Sequence, residues 1–128
     1  MSAIVGLGTD IVEIVRIGRM IERHGEQFLH RVYTDEEIRY CQRRRECYQH
    51  FAGRWAAKEA ALKALGTGLA AGIRWRDVEI LPDELGRPTL SFHARALERA
   101  RQLKANAYHV TITHGNGLAM AQVLLEQV

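Results

Sequence analysis

Residues 51–68 read FAGRWAAKEAALKALGTG. Ala, Leu, Lys and Glu dominate the stretch, and all are strong helix formers. At the helical period Phe51, Trp55, Leu62 and Leu65 make an apolar stripe, while Gly53, Ala57, Ala60 and Ala64 make a small-residue face on the other side. Small residues let another backbone come close, so the spacing predicts a helix buried on two sides. Glu59 falls at the edge of the apolar stripe, where a carboxylate is costly unless it is paired or bound to a cation. Lys63, one turn later, is a partner within reach. Helix physics by itself favours that Glu59–Lys63 pair in a core helix. Gly66-Thr67-Gly68 ends the helix, either as a glycine cap or as a loop that brings backbone N–H groups toward a phosphate.

On the N-terminal side, Ile4–Val12 (IVGLGTDIV) reads as a buried strand, with Gly6 and Gly8 marking close backbone contacts. Asp10 sits inside this apolar run with no cation adjacent in sequence, so its partner lies elsewhere in the fold. Glu13–Arg23 has a helical pattern in which Arg16, Arg19 and Arg23 share a face with Met20. That face is either solvated or a dock for an acidic protein, with Met20 as an adaptable apolar contact. Thr34 and Glu37 fit a capping box, predicting a helix to about Cys47 that carries Arg43-Arg44-Arg45. The arginine run is short and lacks interleaved aromatics, which argues against a nucleic-acid patch.

On the C-terminal side, Ile73–Leu81 and Pro88–Phe92 read as strands joined by a turn at Asp83–Arg87, and His93–Lys104 as a helix. Tyr108–His114 alternates, Asn116-Gly117 is a hairpin signal, and Leu118–Leu125 is the return strand. His114 has no Ser, Cys or metal ligand near it in sequence, so nucleophilic triads are poorly supported.

With 128 residues, 47% hydrophobic and 26% charged, the chain suits one globular domain, residues 1–128. No apolar run is long enough to span a membrane, and the N-terminus lacks the features of a signal peptide. Cys41 and Cys47 are expected as free thiols in a reducing cytoplasm. A net charge of +3 favours an anionic partner.

GLGTDIVEIVRI near the N-terminus, FAGRWAAKEAALKALGTG in the middle and ITH before the hairpin together resemble holo-[acyl-carrier-protein] synthase, the small class of 4′-phosphopantetheinyl transferases. The resemblance runs over nearly the whole chain. It implies an α+β fold, with a small antiparallel sheet packed around the long central helix. It also implies a homotrimer that binds coenzyme A between neighbouring subunits. The implied reaction moves 4′-phosphopantetheine from coenzyme A to a serine of an apo acyl carrier protein, for fatty-acid or polyketide synthesis, and releases 3′,5′-ADP. Asp10 and Glu59 would hold Mg2+, a cation suited to carboxylates, waters and pyrophosphate oxygens. Lys63 would add positive charge at the same place, and the serine proton would pass to a water on the metal or to Glu59. Gly66, Thr67, Gly68, Arg54, His114 and the Arg43–Arg45 run are the candidate contacts to coenzyme A. Arg16, Arg19, Met20 and Arg23 become the dock for an acidic carrier protein. Family members often carry SxSH where this chain has Thr111-Ile112-Thr113-His114, and an acidic-aromatic pair where it has Gly117-Leu118. The rival reading is a non-enzymatic module that binds nucleic acid through its arginines, which leaves Asp10 and Glu59 without a purpose.

Overall fold

A computed structural model describes all 128 residues. Strand β1 (Ala3–Glu13) leads into helices α1 (Ile14–His24), α2 (Glu26–Val32), α3 (Asp35–Gln42) and α4 (Cys47–Leu65). Strands β2 (Val78–Pro82) and β3 (Pro88–Phe92), helix α5 (Ala94–Gln102) and strands β4 (Ala107–Gly115) and β5 (Leu118–Gln127) complete the chain. The architecture is α+β. Its antiparallel pairing is divided between a three-stranded sheet ordered β1-β5-β4 and a separate β2-β3 pair.

Helix α4 is buried on two sides, as its periodicity requires. Phe51, Leu62 and Leu65 are buried on one side and Ala57, Ala60 and Ala64 on the other. The small face receives β1. A Cβ built on Gly8 would lie 1.9 Å from the Ala60 carbonyl oxygen, and one on Gly6 would lie 2.3 Å from that of Ala64. Only glycine permits that approach. Gly66 closes α4 in the left-handed region at φ 80°, its N–H donating to the Leu62 and Lys63 carbonyls.

The capping box forms as expected. Thr34 Oγ1 accepts from the Glu37 N–H, and Glu37 accepts from the Thr34 N–H. The helix it starts is shorter than the sequence implies, ending at Gln42, so Arg43, Arg44 and Arg45 lie in the α3–α4 connection rather than on a helix. Cys41 therefore closes α3 while Cys47 opens α4; both are free thiols, and burial pushes Cys41 up to about 12. Ile73–Leu81 is strand only in its second half. Trp75–Asp77 is a 3₁₀ turn, because the Asp77 carboxylate accepts from the Arg74 N–H and side chain and closes the chain there. Asn116 and Gly117, both at positive φ, make the two-residue hairpin turn between β4 and β5.

The register sets the two faces of the larger sheet. Ala119, Ala121, Val123 and Leu125 of β5 point to the core, while Leu118, Met120, Gln122 and Leu124 alternate to the outside. Leu7 stands opposite Leu124 and Ile11 opposite Met120 on that outer face. Leu7, Ile11 and Met120 are 58%, 57% and 41% exposed.

Candidate active site

The close crossing of β1 over α4 positions the candidate centre. Two residues beyond Gly8, Asp10 reaches the last turns of α4. Lys63 Nζ donates to Asp10 Oδ1 at 3.2 Å and to the Thr9 carbonyl at 2.9 Å. Asp10 has therefore found its partner, and it is not deeply buried: its side chain is 17% exposed and that of Lys63 is 55%. The expected Glu59–Lys63 pair does not form. Lys63 is drawn to the strand that crosses above it, and Glu59 instead accepts from the indole N–H of Trp75, 2.8 Å from Oε1.

Glu59 and Lys63 lie one turn apart on the same face of α4, so the Asp10–Lys63 pair stands one turn from Glu59 toward the C-terminal end of the helix. Each carboxylate engages the protein through one oxygen, leaving Asp10 Oδ2 and Glu59 Oε2 without a partner. No cluster of three acidic, His or Cys side chains completes an all-protein metal cage. Two hard oxygen donors with most positions left open fit Mg2+, which keeps waters and takes phosphate oxygens. The residues present thus suit the metal that the motifs imply.

Gly66 and Gly68 spend their N–H groups on α4 carbonyls, and the Thr67 hydroxyl donates to the Gly68 carbonyl. The loop is first a helix cap. Only the Thr67 N–H remains free to meet a phosphate.

A second cationic group stands at the other end of α4. Arg54 is buried, with its guanidinium 4.4 Å from the Tyr40 ring centre and its Nε without a partner. Arg44 packs on the same ring at 4.2 Å. His114, at the end of β4, lies 3.2 Å from the amide nitrogen of Gln49 on the first turn of α4. His50 completes the group. Burial, then Arg54, Arg44 and His114, push its pKa down, and Glu46 opposes them. Nine residues of helix, about 14 Å of rise, separate Arg54 from Lys63. Sequence reading names Arg54, His114 and the arginine run but does not join them. The connection is tertiary, through Tyr40 and Gln49.

On α1, Arg16, Arg19 and Arg23 are exposed and Met20 is half-buried. Met20 also lines a cavity of about 360 Å³ with His24, Gln27, Phe28 and Arg31.

Residues 6–113 match the 4′-phosphopantetheinyl transferase superfamily. The holo-[acyl-carrier-protein] synthase of Koribacter versatilis is 46% identical over 96% of this chain and 98% of its own. This chain belongs to the holo-[acyl-carrier-protein] synthase family. The same enzyme from Vibrio atlanticus is 47% identical over 97% of this chain and 98% of its own length. Among solved structures, the synthase of Neisseria meningitidis superposes with a TM-score of 0.86 at 31% identity, covering 96% of this chain and 98% of that one. That of Bacillus anthracis, in complex with coenzyme A (3′,5′-ADP), gives 0.81 at 33%, covering 98% of each.

Two residues of this synthase escape sequence reading. Lys58 is fully buried and pairs with fully buried Glu37 at 2.8 Å. Its position gives a signal, for 58 falls on the 51–55–62–65 stripe where an apolar residue belongs. Trp75, the partner of Glu59, has no local signal beyond the need of an indole N–H for an acceptor.

Proposed function

We propose that Asp10, Glu59 and Lys63 form the centre at which this holo-[acyl-carrier-protein] synthase moves 4′-phosphopantetheine from coenzyme A to the serine of an apo acyl carrier protein. The observation that carries the assignment is the meeting of Asp10 with Lys63 beside Glu59, with one oxygen of each carboxylate left free. Mg2+, when bound by Asp10 and Glu59, supplies charge neutralisation and alignment of the pyrophosphate. The serine oxygen bonds to the β-phosphorus as the bridging P–O bond breaks, and 3′,5′-ADP leaves with that bond's electron pair. Lys63 offers its ammonium where this charge builds. The serine proton passes to Glu59 or to water.

Arg54, Arg44 and His114 are the proposed contacts to another coenzyme A phosphate, supported by the orphaned Nε of buried Arg54. An anion there gives that donor an acceptor. Thr67, with Gly66 and Gly68 shaping its loop, is proposed at the pyrophosphate. The basic face of α1, with Arg16, Arg19, Met20 and Arg23, would dock the acidic carrier protein. The setting proposed is cytoplasmic synthesis of fatty acids or polyketides, with residues 1–128 acting as one domain.

The homotrimer is proposed on the outer face of the larger sheet, where Leu7, Ile11 and Met120 are exposed apolar side chains on either side of the Thr9–Gln122 pair, a surface of the kind that marks interfaces. Coenzyme A would then lie between neighbouring subunits. Light scattering should report a trimer at assay concentration, and Met120→Glu should dissociate it; a fully active wild-type monomer would contradict the interfacial site.

Mass spectrometry of an apo carrier protein tests the reaction itself. Incubation with this protein, coenzyme A and Mg2+ should add one phosphopantetheine, and a chelator should prevent it. An unmodified carrier protein despite tight coenzyme A binding would mark a retired enzyme.

A further inference from the structure

The indole of Trp75 holds Glu59, and the transfer chemistry makes no use of it. Resting on the metal assignment above, we infer that Trp75 is a positioning residue: its N–H fixes Glu59 so that Oε2 is presented to the cation. Three independent contacts fix the tryptophan. Its N–H meets Glu59 Oε1 at 2.8 Å. Its ring packs against Trp55, centres 5.5 Å apart, and Trp55 stands one turn before Glu59 and stacks in turn on Phe28 at 6.0 Å. Its carbonyl accepts from Lys58 Nζ at 3.0 Å, and Lys58 is the residue next to Glu59 on α4. Lys58 is locked by Glu37, while buried Asp77 closes the turn that carries Trp75. Tip, ring and backbone of Trp75 are thus all referred to the helix that bears Glu59.

The chemistry of the donor explains its use. A glutamate has three side-chain torsions, and one hydrogen bond to Oε1 removes most of that freedom. An ammonium group, such as Lys63 brings to Asp10, would do the same but would also offset the carboxylate's charge. The neutral indole orients Glu59 without that offset and leaves Lys63 to Asp10 and the phosphates.

The test is Mn2+ binding, read by its electron paramagnetic resonance signal with coenzyme A present and no carrier protein. Two variants are compared: Trp75→Phe, and benzothienylalanine at position 75, which keeps the indole's shape but replaces the N–H with sulfur. Removing a group that holds a metal ligand from behind typically costs 10–100-fold in metal affinity. We expect about tenfold weaker Mn2+ binding in both variants, at the lower end of that range. The Michaelis constant for the carrier protein should not change, and turnover should recover at saturating Mg2+. Wild-type Mn2+ affinity in the folded benzothienylalanine variant would overturn the inference while the metal assignment stands. Absence of Mn2+ binding in the wild-type protein, or undiminished binding in Glu59→Gln, would remove the metal assignment and this inference with it.

Discussion

Lys58 and Lys63 stand five residues apart on α4, and each meets one carboxylate, yet the two pairs do different work. Lys58 and Glu37 are both fully buried. Burial pushes the Lys58 pKa down and Glu37 pulls it back up. Glu37 is saturated as well, accepting from the N–H groups of Thr34 and Ile80. The Lys63–Asp10 pair is half open to solvent and keeps a free carboxylate oxygen. A pair with no free valence fixes the fold; a pair with one can take a ligand.

The sharpest way to break the contrast is to remove one buried partner. Lys58→Ala leaves Glu37 charged and unpaired, which should cost about 3–5 kcal/mol, a large share of the roughly 5–15 kcal/mol available to a domain. Urea unfolding measures it. The double replacement Lys58→Met with Glu37→Leu should recover only part, because the Thr34 and Ile80 N–H groups lose their acceptor. Lys63→Ala should reverse the pattern. Its stability should change by no more than about 1 kcal/mol, while the transfer rate falls by about 10²–10³-fold. Equal stability losses at the two lysines would abolish the distinction.

The exposed arginines of α1 extend the series to charges with still less structural weight. Arg16→Ala or Arg23→Ala should each weaken carrier-protein association by roughly 0.2–1 kcal/mol. Arg16→Glu with Arg23→Glu should raise the Michaelis constant for the carrier protein much further, most visibly at low salt, with coenzyme A affinity unchanged. The reverse pattern would place these arginines at the nucleotide.

The smallest effect belongs to His50. The fold holds its pKa below the ordinary value, so the unfolded chain takes up a proton near pH ~6.5 before the folded one does. Stability should therefore fall as pH drops from about 6.5 toward the folded value, and solvent screening of this partly exposed ring keeps the loss small. His50→Gln should flatten that slope in a denaturation series.

Much of this was legible because its causes are local. The capping box, the Asn116-Gly117 turn and the two-sided periodicity of α4 each lie within a few residues of sequence, and all three are present. What escaped depends on distant partners. Glu37 reads as a capping residue and is one, but its second oxygen holds Ile80, 43 residues away. Helix spacing assigns Glu59 to Lys63, but β1 brings Asp10 there. The Arg43–Arg45 run extends a helix by composition, yet α3 stops at Gln42 and frees Arg44 to pack on Tyr40.

Asp10→Asn tests the central claim most directly, since it removes charge from the open pair with almost no change of shape. The measurement is single-turnover transfer to an apo carrier protein, followed by mass spectrometry, on a variant whose unfolding curve matches the wild type. Transfer should be lost while the curve shifts by no more than about 1 kcal/mol. Wild-type transfer by a folded Asp10→Asn protein would contradict the assignment of this centre.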